Sequence, residues 1–498
     1  MSDARITHLT CAAHVFCAKM HSMNNNMSPW LYQLVHKRPV SILNDNTKTE
    51  IAIVGAGIAG VMTSYFLLKN TTKKILLVEG GKVAHGATGH NAGQLIAEFE
   101  RELHDIAQEF GVPDTVAAEK ALNSAWITIE QVFQDANLTT PYSTFTGYKG
   151  FQSMERLMDE LKNNAIRQQV DEKVYPIFIS EDAPGLADIP VSYRTLYSVI
   201  PHKDVLDLLE TDNKDFHAAL SIRKGCLNSA MLCEEMVGYM LAEFADRITL
   251  VEHTPIKEII LEAHSANLVC DAYTIEAEKV ILCTNGFSKF VITNNSGENI
   301  NNLFHHQLHG NIGYMAGYLE ELNQQPTALA FYYDRVRRAK HKKKDKNAEP
   351  ELFEGYYDEY FYMTRRPYEI EKNERHNLVC VGGPQLLISD SSTYDPIAAF
   401  DEKSAKEIDA FLKKNYRHTP KDDLEFKFKW HGLMGYTTNG IRLIGPEPLN
   451  PVLLYNLGCN GVGILPGIFG ATRIARYIAG EDVEPMIFDP KRCEGGVC

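Results

Sequence analysis

Apolar and polar positions along the 498-residue chain follow two rhythms, and each predicts its own kind of element. Short, wholly apolar runs come first. Ile51-Ala-Ile-Val54 is followed at once by Gly55-x-Gly57-x-x-Gly60 and a helical apolar run from Val61 to Leu68; Ile75-Leu-Leu-Val78 then ends on Glu79. Apolar runs of this length, bounded by turn-forming residues, read as parallel strands buried on both faces. Helical spacing predicts helices at 114–136, 154–169 and 203–210. Another is expected at 228–246, where Met231, Met236, Val237, Met240, Leu241 and Phe244 follow the helical period. Strands are expected at 248–252, 256–262, 268–272 and around Ile275. Lys279-Val-Ile-Leu-Cys-Thr284, running into Asn285-Gly286, reads as a returning parallel strand of the first sheet. Near the C-terminus a strand at 452–457, a glycine loop over 458–467 and a helix to about Ala479 repeat the opening order. The second rhythm belongs to 304–333 and 352–400. These stretches are rich in Tyr and Phe and read as long β strands, 356–364 among them, of a separate antiparallel domain.

The opening unit has the parts that hold a dinucleotide. Gly55 permits a tight turn, Gly57 lets backbone approach a pyrophosphate, and Gly60 lets helix and strand pack closely, with Ala56, Ile58 and Ala59 between them. The helix N-terminus offers unpaired N–H groups and about half a positive charge to the phosphates. Glu79, followed by Gly80, is placed to accept from ribose hydroxyls and would repel a 2′-phosphate. A second small-residue loop follows, Gly86-Ala87-Thr88-Gly89-His90-Asn91-Ala92-Gly93-Gln94, ahead of a helical stretch expected at 97–110. Its N–H-rich turn suits phosphate or carbonyl oxygens of a ligand.

Composition narrows the setting. The length predicts two or three domains, and 44% hydrophobic with 23% charged residues is the balance of a globular protein with a large core. A net charge of −14 argues against a general nucleic-acid binder and gives no attraction to anionic membranes. No apolar run approaches the roughly 18 residues of a membrane span. The ten cysteines are scattered rather than framed, which favours free thiols, a reducing compartment and hence the cytoplasm. His8, Cys11, His14, Cys17 and His21 recur with a spacing that matches no standard finger, so a loose tail is expected there rather than a metal centre. The run 335–346 carries eight Lys or Arg and reads as a solvated loop, with a docking patch as the alternative.

Four segments together resemble a known family. VGAGIAG with Glu79, GATGHNAGQ, KVILCTNGFS and WHG…YTTNG…IG…GCNGVG span residues 50–480. They resemble the FAD-dependent D-amino acid oxidase superfamily, which includes glycine oxidase, sarcosine oxidase and dimethylglycine dehydrogenase. The layout is most similar to the gamma-glutamylputrescine oxidase-like branch. The resemblance implies an α/β fold: a Rossmann-like FAD-binding domain with a parallel sheet, interleaved with an antiparallel α+β substrate domain. The FAD-binding pieces would be 49–120, 221–290 and 430–482. A mainly helical substrate region would occupy 121–220 and the remaining substrate domain 291–429, with a basic loop at 335–350. Residues 1–48 would be an extension and 483–498 a tail.

The same resemblance assigns roles. Gly55, Gly57 and Gly60 would cradle the pyrophosphate and Glu79 the ribose. Thr88, Asn91, Ala92 and Gly93 would approach the pyrophosphate and flavin, within a set that includes Gly86, Ala87, His90 and Gln94. The turn Thr284-Asn285-Gly286 joins that set. Ile256, after Pro255, would meet the adenine edge, and Gly461, Val462, Gly463 and Ile464 would lie against the flavin.

Two positions depart from the pattern. The arginine that clamps a substrate carboxylate in the glycine oxidase-like members is Met434 here, which favours an amine over an α-amino acid unless Arg442 or Arg365 compensates. His90 stands where the resembled branch has arginine, and sarcosine and dimethylglycine dehydrogenases bond flavin covalently through a histidine in a similar setting. Non-covalent FAD is the expectation, with a link through His90 as the alternative.

The implied reaction is oxidation of the C–N bond of an amine or amino acid derivative. A hydride passes to flavin N5, the imine hydrolyses, and oxygen or another acceptor takes the electrons. Tyr314, Tyr360, Tyr362 and Tyr436 are the candidates for lining the substrate site, where desolvation favours the neutral amine. The rival readings are a low-turnover FAD-binding subunit or sensor, and a flavoenzyme acting on modified RNA nucleosides.

Overall fold

The computed structural model describes residues 26–35, 38–333, 360–388, 390–420 and 422–490. The His/Cys-containing N-terminal segment, the basic run 335–346 and the start of the strand expected at 356–364 lie outside the described residues.

The apolar runs form one sheet because they have no polar face to give to water. Thr47–Val54 pairs in parallel with Ile75–Val78 on one side and Thr274–Leu282 on the other. Ile248–Val251 extends the first edge and Leu453–Leu457 the second, both in parallel. Ile51 to Val54 and Ile75 to Val78 are all buried, as strands covered on both faces require. The cover on one face is Ile58–Asn70 packed against Ile464–Ile478, the two helices that follow the glycine loops. The antiparallel strands Glu258–Leu261 and Ala266–Val269, with Val291–Asn294 beyond them, and Leu443–Pro446 on the edge of Leu453–Leu457 complete a nine-stranded sheet.

The second sheet has ten strands and is mostly antiparallel. Phe428–Thr437, Leu308–Glu320, Glu374–Ile388, Tyr360–Glu371 and Thr327–Tyr332 follow one another across it. It continues through Tyr142–Phe151, Ala218–Leu227, Ile177–Ser180 and Ser198–Ile200, with Gln94–Leu95 pairing on Ala218–Leu227. Two expectations are corrected here. The region 121–220 is not mainly helical, because it supplies strands to this sheet. Their signal is weak in the sequence: Tyr142–Phe151 carries Ser, Thr, Gly and Lys among its aromatics, and much of it is only partly buried. Residues 304–307 are not strand either, but end the helix Asn301–Gln307. Sheet membership also crosses the expected segment edges, since Ala218–Leu227 and Phe428–Thr437 both belong to the second sheet.

The stretch expected as a helix over 97–110 divides in two. Only Leu103–Phe110 is helical. The residues before it are extended and obey a period of two, which the helical reading missed. Leu95 and Ala97 enter the core and Phe99 stacks on Phe488, while Gln94, Ile96, Glu98 and Glu100 face the cavity between the sheets.

The segment 26–32 is sewn into the same junction. Ser28 caps the turn Pro29–Tyr32, Trp30 is buried under the Arg366 guanidinium at 3.8 Å, and Tyr368 donates to the Pro29 carbonyl at 2.9 Å. Among the described residues no helix is long and apolar enough to cross a membrane.

Arg38 joins this N-terminal segment to the first sheet by two forked ion pairs, to Glu234 at 2.8 Å and Glu252 at 2.6 Å. Burial raises the Glu252 carboxyl, but the hydrogen bond and charge of Arg38, together with the Val83 N–H, outweigh it and hold the group below its usual value. A carboxyl depressed in the folded state stabilises above its unfolded value, and that contribution is lost as pH falls through the folded one. Arg38→Ala leaves the 1%-exposed Glu252 carboxylate without its cation. Urea denaturation at neutral pH should show a loss of about 3 kcal/mol, shrinking towards zero in acid. An unchanged midpoint at neutral pH would show the pair to be structurally idle.

Candidate functional site

A cavity of about 690 Å³ runs between the two sheets, from Glu79 and Ile256 at one end to Tyr360 and Glu100 at the other. Its first end is shaped by backbone contact. A Cβ on Gly60 would stand 1.8 Å from the Gly55 carbonyl oxygen, so only glycine lets this helix sit on this strand. Gly55 has φ 101° and lies against the Cys283 carbonyl, and a Cβ on Gly57 would meet Thr88 Oγ1 at 2.8 Å. Thr88 comes from the second small-residue loop and accepts the Ile58 N–H at 3.0 Å, capping the helix from outside. Glu79 accepts the N–H groups of Ala56 and Gly81, each at 2.8 Å. Burial raises its carboxyl while these two donors pull it down.

Gly55, Gly57, Ile58, Ala59, Glu79 and Gly80 line the cavity. Ala56 and Gly60 do not: the first spends its N–H on Glu79 and the second is the packing contact.

The middle of the cavity is built from three loops. Ala87–His90 makes one turn of 3₁₀ helix, pinned from behind by Ser229, which donates to the Thr88 carbonyl at 2.7 Å. Trp30 Nε1 holds the Asn91 carbonyl at 2.6 Å. Gly86, Ala87, Thr88, His90, Asn91 and Ala92 face the cavity; Gly93 instead packs under Arg366 and Trp30. Asn285, at φ 52°, accepts the Cys459 N–H at 3.0 Å and so joins the Thr284 turn to the C-terminal glycine loop. Gly286 is packed on the Met434 carbonyl rather than exposed to the cavity. Gly461, Val462, Gly463 and Ile464 line it from the N-terminal end of their helix, and Ile256 lines it near Glu79.

At the far end Tyr360, Tyr362, Tyr436 and Met434 form wall. Tyr314 does not. Its neighbours Gly313 and Met315 line the cavity, so strand alternation sends Tyr314 to the other face, against Phe400 and His431. Arg365 is likewise away from the site, buried with Glu210 and Tyr416. Arg442 does line the cavity, held by Asn456 at 2.9 and 3.0 Å, and burial lowers its pKa to about 10.

The sequence reading missed the charged part of this end. Glu98, Glu100, Lys149 and Lys224 all face the cavity. Tyr360 donates to Glu100 at 2.9 Å and stacks on Tyr332 with centroids 5.2 Å apart. Lys149 pairs with Glu98 at 3.0 Å and Glu160 at 3.3 Å. Lys224 donates to the neutral Gln94 Oε1 at 3.0 Å, and burial lowers its pKa to about 8. Burial raises the Glu100 carboxyl, against the pull of the Tyr360 hydroxyl. A smaller polar cavity of about 160 Å³ continues past Glu100 and Lys149. The alternation in Gln94-Leu-Ile-Ala-Glu98-Phe-Glu100 was the available signal for the two glutamates; nothing local marks the lysines.

Comparison with known proteins agrees with this layout. The model of the family described as FAD dependent oxidoreductase (DAO) matches residues 50–477. The structure of glycine oxidase from Geobacillus kaustophilus superposes with a TM-score of 0.60 at 14% identity, covering 90% of this chain and 100% of that one. A tRNA 5-methylaminomethyl-2-thiouridine biosynthesis bifunctional protein MnmC from Marinomonas sp. (strain MWYL1) is 24% identical over 272 residues, 48% of this chain and 37% of its own length. Gamma-glutamylputrescine oxidoreductase from Escherichia coli (strain K12) is 27% identical over 74 residues, 15% of this chain and 17% of that protein. The matches span under two-fifths of these curated relatives.

The cradle fits FAD on its own terms: three glycines where a Cβ would collide, a helix N-terminus facing the cavity, and a partly buried carboxylate beside it. Glu79→Gln keeps the shape but replaces one acceptor oxygen by an amide donor facing donors. Equilibrium dialysis should show FAD held about tenfold or more weakly, in line with about 1–3 kcal/mol for an unsatisfied buried group. Unchanged affinity would remove Glu79 from the cofactor site.

Proposed function

The chain belongs to the DAO family of FAD dependent oxidoreductases, and we propose that its substrate is an amine without an α-carboxylate, oxidised at the C–N bond. The observation that carries this reading is Met434 in the cavity wall, at the position where the resembled oxidases carry a carboxylate-clamping arginine. Among the described residues Arg442 is the one arginine that lines the cavity, and it is already fixed on Asn456. Bound here, FAD supplies the two-electron acceptor for the hydrogen leaving the carbon beside nitrogen.

The chain's own residues do the rest. Gly55, Gly57, Thr88 and the helix N-terminus would hold the pyrophosphate, and Glu79 the ribose. Gly461 would lie against the flavin; a Cβ there would meet Glu100 Oε2 at 2.9 Å and Tyr436 Oη at 3.1 Å. Glu100 is thus the anionic group beside the proposed reacting end, and it orients an entering ammonium. Its raised carboxyl accepts the ammonium proton more readily than a solvated glutamate would. Tyr360, Tyr362 and Tyr436 keep water away and favour the neutral amine.

His90 favours the non-covalent form of the cofactor. Its Nδ1 lies 2.9 Å from the Gly86 carbonyl and its Nε2 3.3 Å from the Asn26 carbonyl, so both ring nitrogens face backbone oxygens. Burial lowers its pKa and disfavours the charged ring. Acid precipitation should release all yellow colour into the supernatant.

The similarity to the MnmC protein supports a second reading, a modified nucleoside in RNA as substrate. It predicts salt-sensitive RNA binding that disappears when 335–346 is deleted. A third reading, a low-turnover FAD subunit, predicts no substrate reduction at all. The deciding experiment is anaerobic mixing with a panel of primary and secondary amines and α-amino acids. Flavin bleaching by amines in preference to their α-carboxylated counterparts is expected. No bleaching by any amine, or a strong preference for α-amino acids, would overturn the proposal.

A further inference from the structure

On the second sheet, away from the cavity, three side chains converge that no part of the proposed reaction uses. Asp182 lies two residues beyond the strand Ile177–Ser180, His202 opens the helix His202–Leu208, and His217 directly precedes the strand Ala218–Leu227. Backbone hydrogen bonds fix them relative to one another: Ser180 N–H to the His217 carbonyl at 2.8 Å, and His217 N–H to the Phe151 carbonyl at 3.0 Å. One ligand atom from each of the three lies within 4.8 Å of the others, and the two imidazole centroids are 5.1 Å apart.

The hydrogen bonding leaves nitrogen and oxygen lone pairs that a cation can take up. His202 Nε2 lies 3.0 Å from the Phe216 carbonyl, which can only accept, so Nε2 carries the proton. In the neutral ring Nδ1 is then a bare lone pair. That lone pair points at Asp182 Oδ2, 3.2 Å away, which is also accept-only. With the ring neutral, two acceptors face each other, and the gap takes either a proton, closing an ion pair, or a metal cation. The third member sharpens the requirement: His217 Nδ1 is buried and has no hydrogen-bond partner.

The orientation around the gap is that of an outer coordination shell. A metal-bound histidine usually donates its other N–H to a carbonyl or carboxylate, as His202 does to Phe216. The other Asp182 oxygen, Oδ1, is held by the Ser180 hydroxyl. We propose that Asp182, His202 and His217 form a binding site for a divalent transition-metal ion of the zinc class. Imidazole nitrogen with one carboxylate oxygen suits zinc, and water completes the coordination. The ion would tie together the ends of two strands and the start of a helix.

The test uses the full-length, FAD-loaded protein, stripped with a chelator and titrated with Zn²⁺ by calorimetry and with Co²⁺ by absorbance. Cobalt bound here should lack the thiolate charge-transfer band, which separates this site from any site made by Cys11 and Cys17. One equivalent of such binding is expected in the wild type. Asp182→Asn and His217→Ala should weaken it by more than a hundredfold, and Ser180→Ala, which only loosens Asp182, by about ten- to a hundredfold. Zinc should raise the thermal midpoint of the wild type and leave that of Asp182→Asn unmoved. Asp182 is exposed, so its variant folds even where His217→Ala does not; unchanged flavin content verifies this. Equal binding in wild type and Asp182→Asn, or binding only with thiolate character, would overturn the site.

Discussion

Everything at the cavity depends on backbone meeting backbone at Gly60. With 1.8 Å between a hypothetical Cβ and the Gly55 carbonyl oxygen, the helix Ile58–Asn70 can dock on its strand only if that residue has no side chain. The docking aims the helix N-terminus into the cavity. It also brings Ile58 N–H to Thr88, so the second loop is positioned by the first. From Thr88 the order propagates: Ser229 and Trp30 hold the loop from behind, and the extended chain beyond it delivers Glu98 and Glu100 to the far wall. A continuous stretch of sequence, 55 to 100, thus shapes both ends of one site.

The two ends differ in electrostatic character. At the Glu79 end the polar groups are mostly backbone N–H, fixed by the fold and suited to anions. At the far end Glu98, Glu100, Lys149 and Lys224 balance in formal charge but not in pairing. Lys149 is engaged with Glu98 and Glu160, while Glu100 has a tyrosine and Lys224 an amide. Lys224 is buried and Glu100 is open to the cavity, and both shift towards their neutral forms. Such groups are available to a substrate in a way that a closed ion pair is not.

The nucleotide unit was legible because its chemistry is local. A buried strand, three glycines, a helix and an acid lie within thirty residues, and each has a physical reason for its place. The returning strand 274–282 and the C-terminal glycine loop were legible for the same reason. Alternation was the signal most easily lost. It hid the strand Tyr142–Phe151 among polar residues, turned Tyr314 away from the cavity, and placed Glu98 and Glu100 on an extended segment where a helix was expected. Arg365 could not be excluded from sequence, because its partner Glu210 lies 155 positions away. The triad Asp182, His202 and His217 had no signature at all, since three separate elements bring it together.

The central claim is that Glu100 faces the reacting amine. Stopped-flow reduction of the FAD-loaded protein under anaerobic conditions, with one reactive amine across a range of pH, tests it directly. Glu100→Gln should slow reduction by about a hundredfold at neutral pH, the lower range for a general base, and the deficit should narrow as alkaline pH supplies neutral amine. Equal rates for the two proteins at every pH would contradict the account.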